Sequence, residues 1–290
     1  MITVFTPTYN RAYIIDKLYK SLCQQTCKDF EWLVVDDGST DNTKELINSY
    51  ISENKITIRY IHKENGGKHT AINLGVKEAH GELFFIVDSD DHLTNDAIEW
   101  IRDNSQEIIN NNRYAGLSGI RVTPNGDRIG GGFFPSVIEC SALEIRNKLH
   151  IKGDLAEIYK TAILRQYPFP IFKNEKFVTE ALIWNRVAIN YILRYTNKAV
   201  YICEYRNDGL TAQMTKLRKL NPQATALYYS EYYTMPIPLK EQIKTAINYW
   251  RFAPYNKTSF FRKIKQIGII SMYAIPLGYA YYIIDKLSTR

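Results

Sequence analysis

The chain has 290 residues, 45% hydrophobic and 23% charged, with a formal net charge of +7. That balance excludes a disordered, collagen-like or coiled-coil chain, and the length admits one large domain or two small ones. The positive excess suits a nucleic acid, an acidic membrane surface or a phosphorylated substrate without choosing among them. The four cysteines, Cys23, Cys27, Cys140 and Cys203, lack Cys-x-x-Cys spacing and read as reduced thiols of a cytoplasmic protein.

From the N-terminus, "ITVF" predicts a strand rather than a basic-then-apolar leader. "AYIIDKLYKSLCQQT" follows as a helix, with Ile14, Ile15, Leu18 and Leu22 at helical spacing. "FEWLVVDD" reads as a strand, and "STDNTKELINSYIS" as a helix capped by Ser39, Thr40 or Asp41. "ITIRYIH", "GGKHTAINLGVKEA" and "GELFFIVD" continue as strand, helix and strand. Such alternation predicts right-handed βαβ units and a mostly parallel sheet flanked by helices. "NDAIEWIRDN" is a helix. "YAGLSGIRV" and "VYICEY" are strands, and "TEALIWNRVAIN" is a helix between them. Beyond Asn221 the sequence becomes helical, aromatic and basic. Residues 1–220 are expected to form one domain, with halves at 1–111 and 112–220, and residues 221–290 a helical C-terminal extension. Ile267 to Ile284 is uncharged and long enough to cross a bilayer, yet Gly268, Ser271, Pro276, Gly278 and four tyrosines lower its apolarity. A span, a helix docked at the interface and a soluble helical pair all remain open.

Ligands of parallel α/β sheets bind beyond the carboxyl ends of the strands. Four successive strands end in polar stretches: "TPTYNR", "VVDDGS", "KENGGK" and "DSDD". The last places Asp88, Asp90 and Asp91 together, and like charges this close call for a positive partner. In extended backbone Asp88 and Asp90 share a face, which suits a divalent cation such as Mg2+ or Mn2+. The alternative is a solvated acidic turn with Asp91 or Asp96 capping the next helix.

The order of these four motifs resembles the family 2 glycosyltransferases, over roughly residues 1–210. The resemblance implies a GT-A fold and inverting transfer of a sugar, most readily from a UDP-sugar, to a saccharide or lipid-linked acceptor hydroxyl. It implies a place in cell-surface polysaccharide or glycolipid synthesis, with no nucleic-acid partner. Thr6, Pro7, Tyr9, Asn10 and Arg11 match the stretch flanking the base, where Tyr9 offers a stacking face. Asp37 matches the residue that accepts from the uracil ring; Asp36 either lies beside it or caps the "STDNT" turn. Asn65, Gly66 and Gly67 match the loop passing close to the donor, where glycine permits approach. Lys68 and Arg11 either steady the diphosphate or are solvated. Asp88 matches the acid near the ribose and Asp90 the metal ligand, Mn2+ or Mg2+; Asp91 shares the metal or caps the helix. "FVTEALIWNRV" matches the motif of the catalytic base, which makes Glu180, six residues before Arg186, the base. Thr179 stands before it where the family usually has an acid, which bears on geometry. Trp184, one turn on, either lines the acceptor site or belongs to the core. The five histidines show no ligand spacing, His69 included.

Two rival classes remain. A sugar nucleotidyltransferase carries a glycine-rich loop after its first strand, and "TPTYNRAYI" has no glycine. A non-catalytic sugar-nucleotide or membrane-binding module would bind without turnover. A receiver domain, which "VVDD" also resembles, leaves most of the length unexplained. Basic residues beside the apolar C-terminal stretch predict membrane contact through 257–290 at the cytoplasmic face, and the tail together with the "GGGFFP" loop is expected to influence acceptor choice.

Overall fold

The computed structural model describes residues 1–131, 136–203 and 213–287. Most of the "GGGFFP" loop, the end of "VYICEY" and the last three residues of the tail lie outside these. In chain order the elements begin β1 (Ile2–Thr8), α1 (Asp16–Cys23), β2 (Phe30–Asp36), α2 (Thr43–Glu53), β3 (Ile58–His62), α3 (Lys68–Glu78) and β4 (Leu83–Ile86). There follow β5 (His92–Leu93), α4 (Ala97–Asn110), β6 (Tyr114–Val122), β7 (Val137–Cys140), α5 (Ala142–Asn147), β8 (Leu155–Lys160) and α6 (Thr161–Leu164). The rest are α7 (Ala181–Ala188), β9 (Ile192–Ile202), α8 (Met214–Leu220), α9 (Pro222–Thr234), α10 (Leu239–Phe252), α11 (Phe260–Ile267) and α12 (Ile275–Leu287). A 3-10 turn, Ile269–Ala274, joins the last two helices.

One sheet runs in the order β3-β2-β1-β4-β8-β6-β9-β5, with β7 on the flank of β9. β1 pairs in parallel with β2 and β4, and β2 with β3. This is the parallel region expected from the βα alternation. Beyond β4 the sheet is mixed: β8 runs antiparallel to both β4 and β6, while β9 is parallel to β6 and antiparallel to β5 and β7. Every residue of β1 and β2 is buried, because helices cover both faces of a parallel sheet. Trp32, Phe85, Leu18 and Ile98 anchor this core.

The chain divides into two compact units, Met1–Pro168 with Arg186–Tyr205, and Phe169–Asn185 with Arg206–Arg290. The sheet lies wholly in the first. The expected boundary between 220 and 221 is therefore not where the chain divides: Phe169–Asn185 groups with the helices. Its buried Glu175 accepts the N–H groups of Gln223 (2.8 Å) and Ala224 (2.9 Å) in the first turn of α9. Asn221 Oδ1 accepts in turn from the backbone of Lys176 (2.8 Å) and Phe177 (3.0 Å). Helix N-termini need such acceptors, and here an upstream segment supplies them. Within this second unit, Tyr249, Trp250, Phe252 and Ala246 form a separate core.

The uncharged stretch from Ile267 is not one helix. Gly268, at φ 99°, breaks it, and α11 meets Ile269–Leu287 at a bend of 113°. Among the described residues no single helix is long and apolar enough to cross a membrane; this bent pair passes only when taken together. All four cysteines are free thiols.

Candidate functional site

β1, β2, β3 and β4 are parallel neighbours, so their carboxyl ends open at one edge of the sheet. The loop after β1 is pinned to the loop after β2. Asn10, in the left-handed region at φ 53°, receives the N–H of Thr40 on its Oδ1 (2.8 Å) and donates its own N–H to Ser39 Oγ (2.8 Å). Arg11 donates its N–H to Thr43 Oγ1 (3.2 Å), and Asp41 accepts from Ala12 and from the N–H of Thr43, which opens α2. Asn10 thus holds the two loops together. Tyr9, 48% exposed, leaves its ring open at this edge. Thr6 departs from its expected place beside a ligand: its hydroxyl is buried and accepts from Trp32 Nε1 (2.9 Å), and Pro7 beside it is buried in β1. Both faces of β1 are covered, so Thr6 and Pro7 are buried alike.

The paired acids at the end of β2 do different things. Asp36, fully buried, accepts the Ser39 N–H (2.8 Å) and the Tyr60 hydroxyl (2.6 Å), which is the turn-capping role. Asp37 reaches across to the loop after β3. Its carboxylate accepts the N–H groups of Gly66 (2.9 Å) and Gly67 (2.7 Å) and the Lys63 ammonium (2.6 Å). Asn65 Nδ2 donates to the Asp37 carbonyl at 2.8 Å. Gly67, at φ 94°, then turns the chain into α3. Gly38 is required where the loops cross: at φ 85°, an added Cβ there would stand 2.9 Å from the Asn65 backbone nitrogen.

At the end of β4, Lys68 from α3 pairs with Asp88 at 2.6 Å. Burial pulls the Asp88 carboxyl upward, but Lys68, Arg121 and Arg11 outweigh it, so its pKa is lowered. Asp91 is buried and accepts from the Tyr201 hydroxyl (2.8 Å), whose oxygen receives the Asp88 N–H (3.0 Å). Burial, then the charge of Asp88, push Asp91 up to about 7. The Arg121 guanidinium lies 4.2 Å from the centre of the Tyr201 ring. Lys68 and Arg121 therefore supply positive charge to this cluster. Asp90, half-buried, makes no hydrogen bond or ion pair among the described residues. Asp96 does not share this cluster; its carboxylate takes the Thr94 hydroxyl and Lys198.

Arg121 and Tyr201 were not singled out from the sequence. The usable signal was an arginine near the end of the otherwise apolar "YAGLSGIRV", since a buried guanidinium calls for acidic partners. Lys63 was also missed. Among the described residues no three His, Cys, Asp or Glu side chains gather as a metal set. The donor set, one open carboxylate beside an acid already paired to lysine, fits a cation taking its other oxygens from a ligand and water, not a closed protein cage. His69 is buried, and burial lowers it to about 4, which leaves it neutral.

Glu180 belongs to the second unit. It is half-buried immediately before α7, and its carbonyl accepts the N–H groups of Ile183 (3.0 Å) and Trp184 (3.2 Å). The Trp184 ring meets the buried Phe169 edge-on at 6.3 Å, so one side of it is packed.

Residues 3–129 match the sequence profile described as glycosyl transferase family 2. An uncharacterized glycosyltransferase of Rickettsia conorii is 44% identical over 98 residues, which span 34% of this chain and 16% of that protein. S. aureus TarS 1–349, solved in complex with UDP-GlcNAc, superposes with a TM-score of 0.68 at 19% identity, covering 97% of this chain and 88% of that one. The mannosyltransferase PcManGT of Pyrobaculum calidifontis, solved with GDP-Man and Mn2+, gives 0.58 at 18% identity, covering 97% and 73%. The architecture is that of the GT-A fold.

Proposed function

We propose that this chain, a family 2 glycosyltransferase through residues 3–129, moves a sugar from a nucleotide-diphosphate sugar to an acceptor hydroxyl with inversion. The observation that carries this reading is the convergence of four strand ends. There an open aromatic ring at Tyr9, a glycine loop held by Asp37 and a lysine–acid edge at Lys68, Asp88 and Asp90 lie on one edge of the sheet. A flat ring suits a base, a glycine loop held from beneath by Asp37 lets a ligand approach closely, the Lys68 ammonium suits phosphates, and an open carboxylate suits a cation. The donor nucleotide is proposed to be UDP, in keeping with the TarS neighbour solved with UDP-GlcNAc.

In the transfer, the acceptor oxygen forms its bond to the anomeric carbon as the bond from that carbon to the diphosphate oxygen breaks. The electron pair leaves with the nucleoside diphosphate. One displacement from the opposite face inverts the centre. On its place in the "FVTEALIWNRV" motif, Glu180 is assigned the acceptor proton. Tyr9 and the loop fixed by Asp37 orient the nucleotide, and Lys68 and Arg11 meet the diphosphate charge. Asp90 would hold a divalent cation, Mn2+ or Mg2+, whose charge would offset that on the leaving group. Asp36 and Asn10 act one layer back, by fixing the loops.

The test is a panel of nucleotide sugars with a saccharide or lipid-linked acceptor, metal omitted and restored. Release of nucleoside diphosphate supports transfer; release of pyrophosphate would identify a nucleotidyltransferase instead. Tight nucleotide binding without turnover on any donor would leave a binding module.

A further inference from the structure

The Ile269–Leu287 stretch reverses the usual distribution of side-chain size. Its inward residues, Ser271, Ala274, Gly278 and Asp285, are small or charged, and they are buried. Its outward residues are large and apolar, among them Ile269 (70% exposed), Ile270 (76%), Leu277 and Ile284, and Phe261 of α11 adds a ring that is 82% exposed. A helix of a water-soluble domain puts its large apolar residues on the covered stripe. An exposed apolar face of this extent marks an interaction surface.

The inward stripe explains how the face is held. A Cβ on Gly278 would stand 2.6 Å from the Trp250 Cβ, so glycine permits α12 to lie close on α10. Trp250 Nε1 donates to the Ser271 carbonyl (3.0 Å) and hydroxyl (3.1 Å). Arg251 closes two 2.7 Å hydrogen bonds on Asp285.

Charge identifies what covers the face. Between Glu241 and Asp285 there is no acidic residue, while Lys244, Arg251, Lys257, Arg262, Lys263 and Lys265 all fall there. Lys257, Arg262 and Lys265 are exposed. We propose that α11 and Ile269–Leu287 form an in-plane docking surface for an anionic lipid bilayer, with Phe261, Ile269 and Ile270 at the acyl boundary and Arg262 and Lys265 among the headgroups. A second copy of the chain is disfavoured as the occupant, because it would bring these basic residues together. Spanning is disfavoured as well. α12 has 13 residues, and at about 1.5 Å each they fall short of a hydrocarbon core about 30 Å thick. Its tie to Arg251 would also draw α10, with Lys240, Glu241 and Lys244, into hydrocarbon. The inference concerns the second unit alone and stands apart from sugar transfer.

The experiment is co-sedimentation of the full chain with phosphatidylcholine vesicles containing about 30% phosphatidylserine, against phosphatidylcholine alone. Binding to the anionic vesicles is expected, with release at about 0.5 M salt and by an alkaline carbonate wash. The double variant Phe261→Glu, Ile270→Glu should partition at least about tenfold more weakly, and Lys265→Glu at least about fivefold. Both alter exposed positions, so circular dichroism melts should match the parent; if a variant fails to fold, the lipid and salt dependence of the parent chain decides. The proposal is overturned by no sedimentation at low salt, by equal binding to neutral vesicles, or by resistance to carbonate, which would mean a span. A concentration-dependent dimer lost in the double variant, without vesicle binding, would overturn it in favour of a second copy.

Discussion

Replacing Asp37 by Asn isolates the contribution of one carboxylate to the donor loop. Asp37 accepts from Gly66 at 2.9 Å, Gly67 at 2.7 Å and Lys63 at 2.6 Å. Gly66 and Lys63 share one carboxylate oxygen and Gly67 takes the other, so an amide, with one acceptor oxygen and an NH2 facing a donor, loses at least one of these bonds and weakens those it keeps. A bond to a charged group is worth about 1.5–3 kcal/mol, or about 2–5 kcal/mol once the weakening of the two kept bonds is added. Lys63 keeps the Thr70 hydroxyl at 2.9 Å, and the freed N–H groups can turn to water, which brings the expected loss to about 2–4 kcal/mol. At about 2–4 °C per kcal/mol for a domain of this size, the melting temperature should fall by roughly 4–16 °C. Hydrogen exchange should quicken at Gly67 or Gly66, since at least one of those amides loses its acceptor, and nucleotide affinity measured by calorimetry should fall with it. An Asp37→Asn protein that melts with the parent and protects both amides equally would refute the view that this carboxylate holds the loop.

Asp90→Ala should remove metal-stimulated turnover and leave the melt unchanged, because Asp90 makes no packed polar contact among the described residues; full turnover of that variant in chelator would refute the metal assignment. Glu180→Gln should lower turnover by about 10²–10⁴-fold with nucleotide affinity preserved; near-parent transfer would place the base elsewhere. The Arg251 hydrogen bonds hold the Asp285 carboxyl below its ordinary range, so its contribution to stability is present above the unfolded value near about 4 and is lost as pH falls below that. Asp285→Asn should therefore destabilise the helical unit by about 1–3 kcal/mol at neutral pH, with the gap to the parent closing as pH falls below about 4; a gap independent of pH would show that the pair does not matter as an ion pair.

Read from residues alone, the first four βα steps were legible, and for a physical reason. "FEWLVVDD" and "GELFFIVD" are apolar runs that only a strand covered on both faces can use, and each precedes a helix with its own spacing. Side-chain order along a strand, and the polar residues at its end, follow from local geometry. So the chain itself determined the parallel region, the edge where chemistry gathers and the candidate positions Tyr9, Asp37, Lys68, Asp88 and Asp90. What it could not decide was which partner each polar group takes, because those partners come from distant elements. Thr6 went to Trp32, Asp36 to Tyr60 and Ser39, and Asp37 to the 65–67 loop. Arg121 and Tyr201 reached the acids from β6 and β9. β8 lies between β4 and β6 without announcing itself in sequence, since "LAEIYK" is too short and too mixed to carry a period. At the other end, composition marked the tail as apolar and basic. Only the packing of Gly278 on Trp250, the Arg251–Asp285 pair and the bend at Gly268 decided that its large apolar residues face outward, because which side of a helix is covered depends on what lies against it.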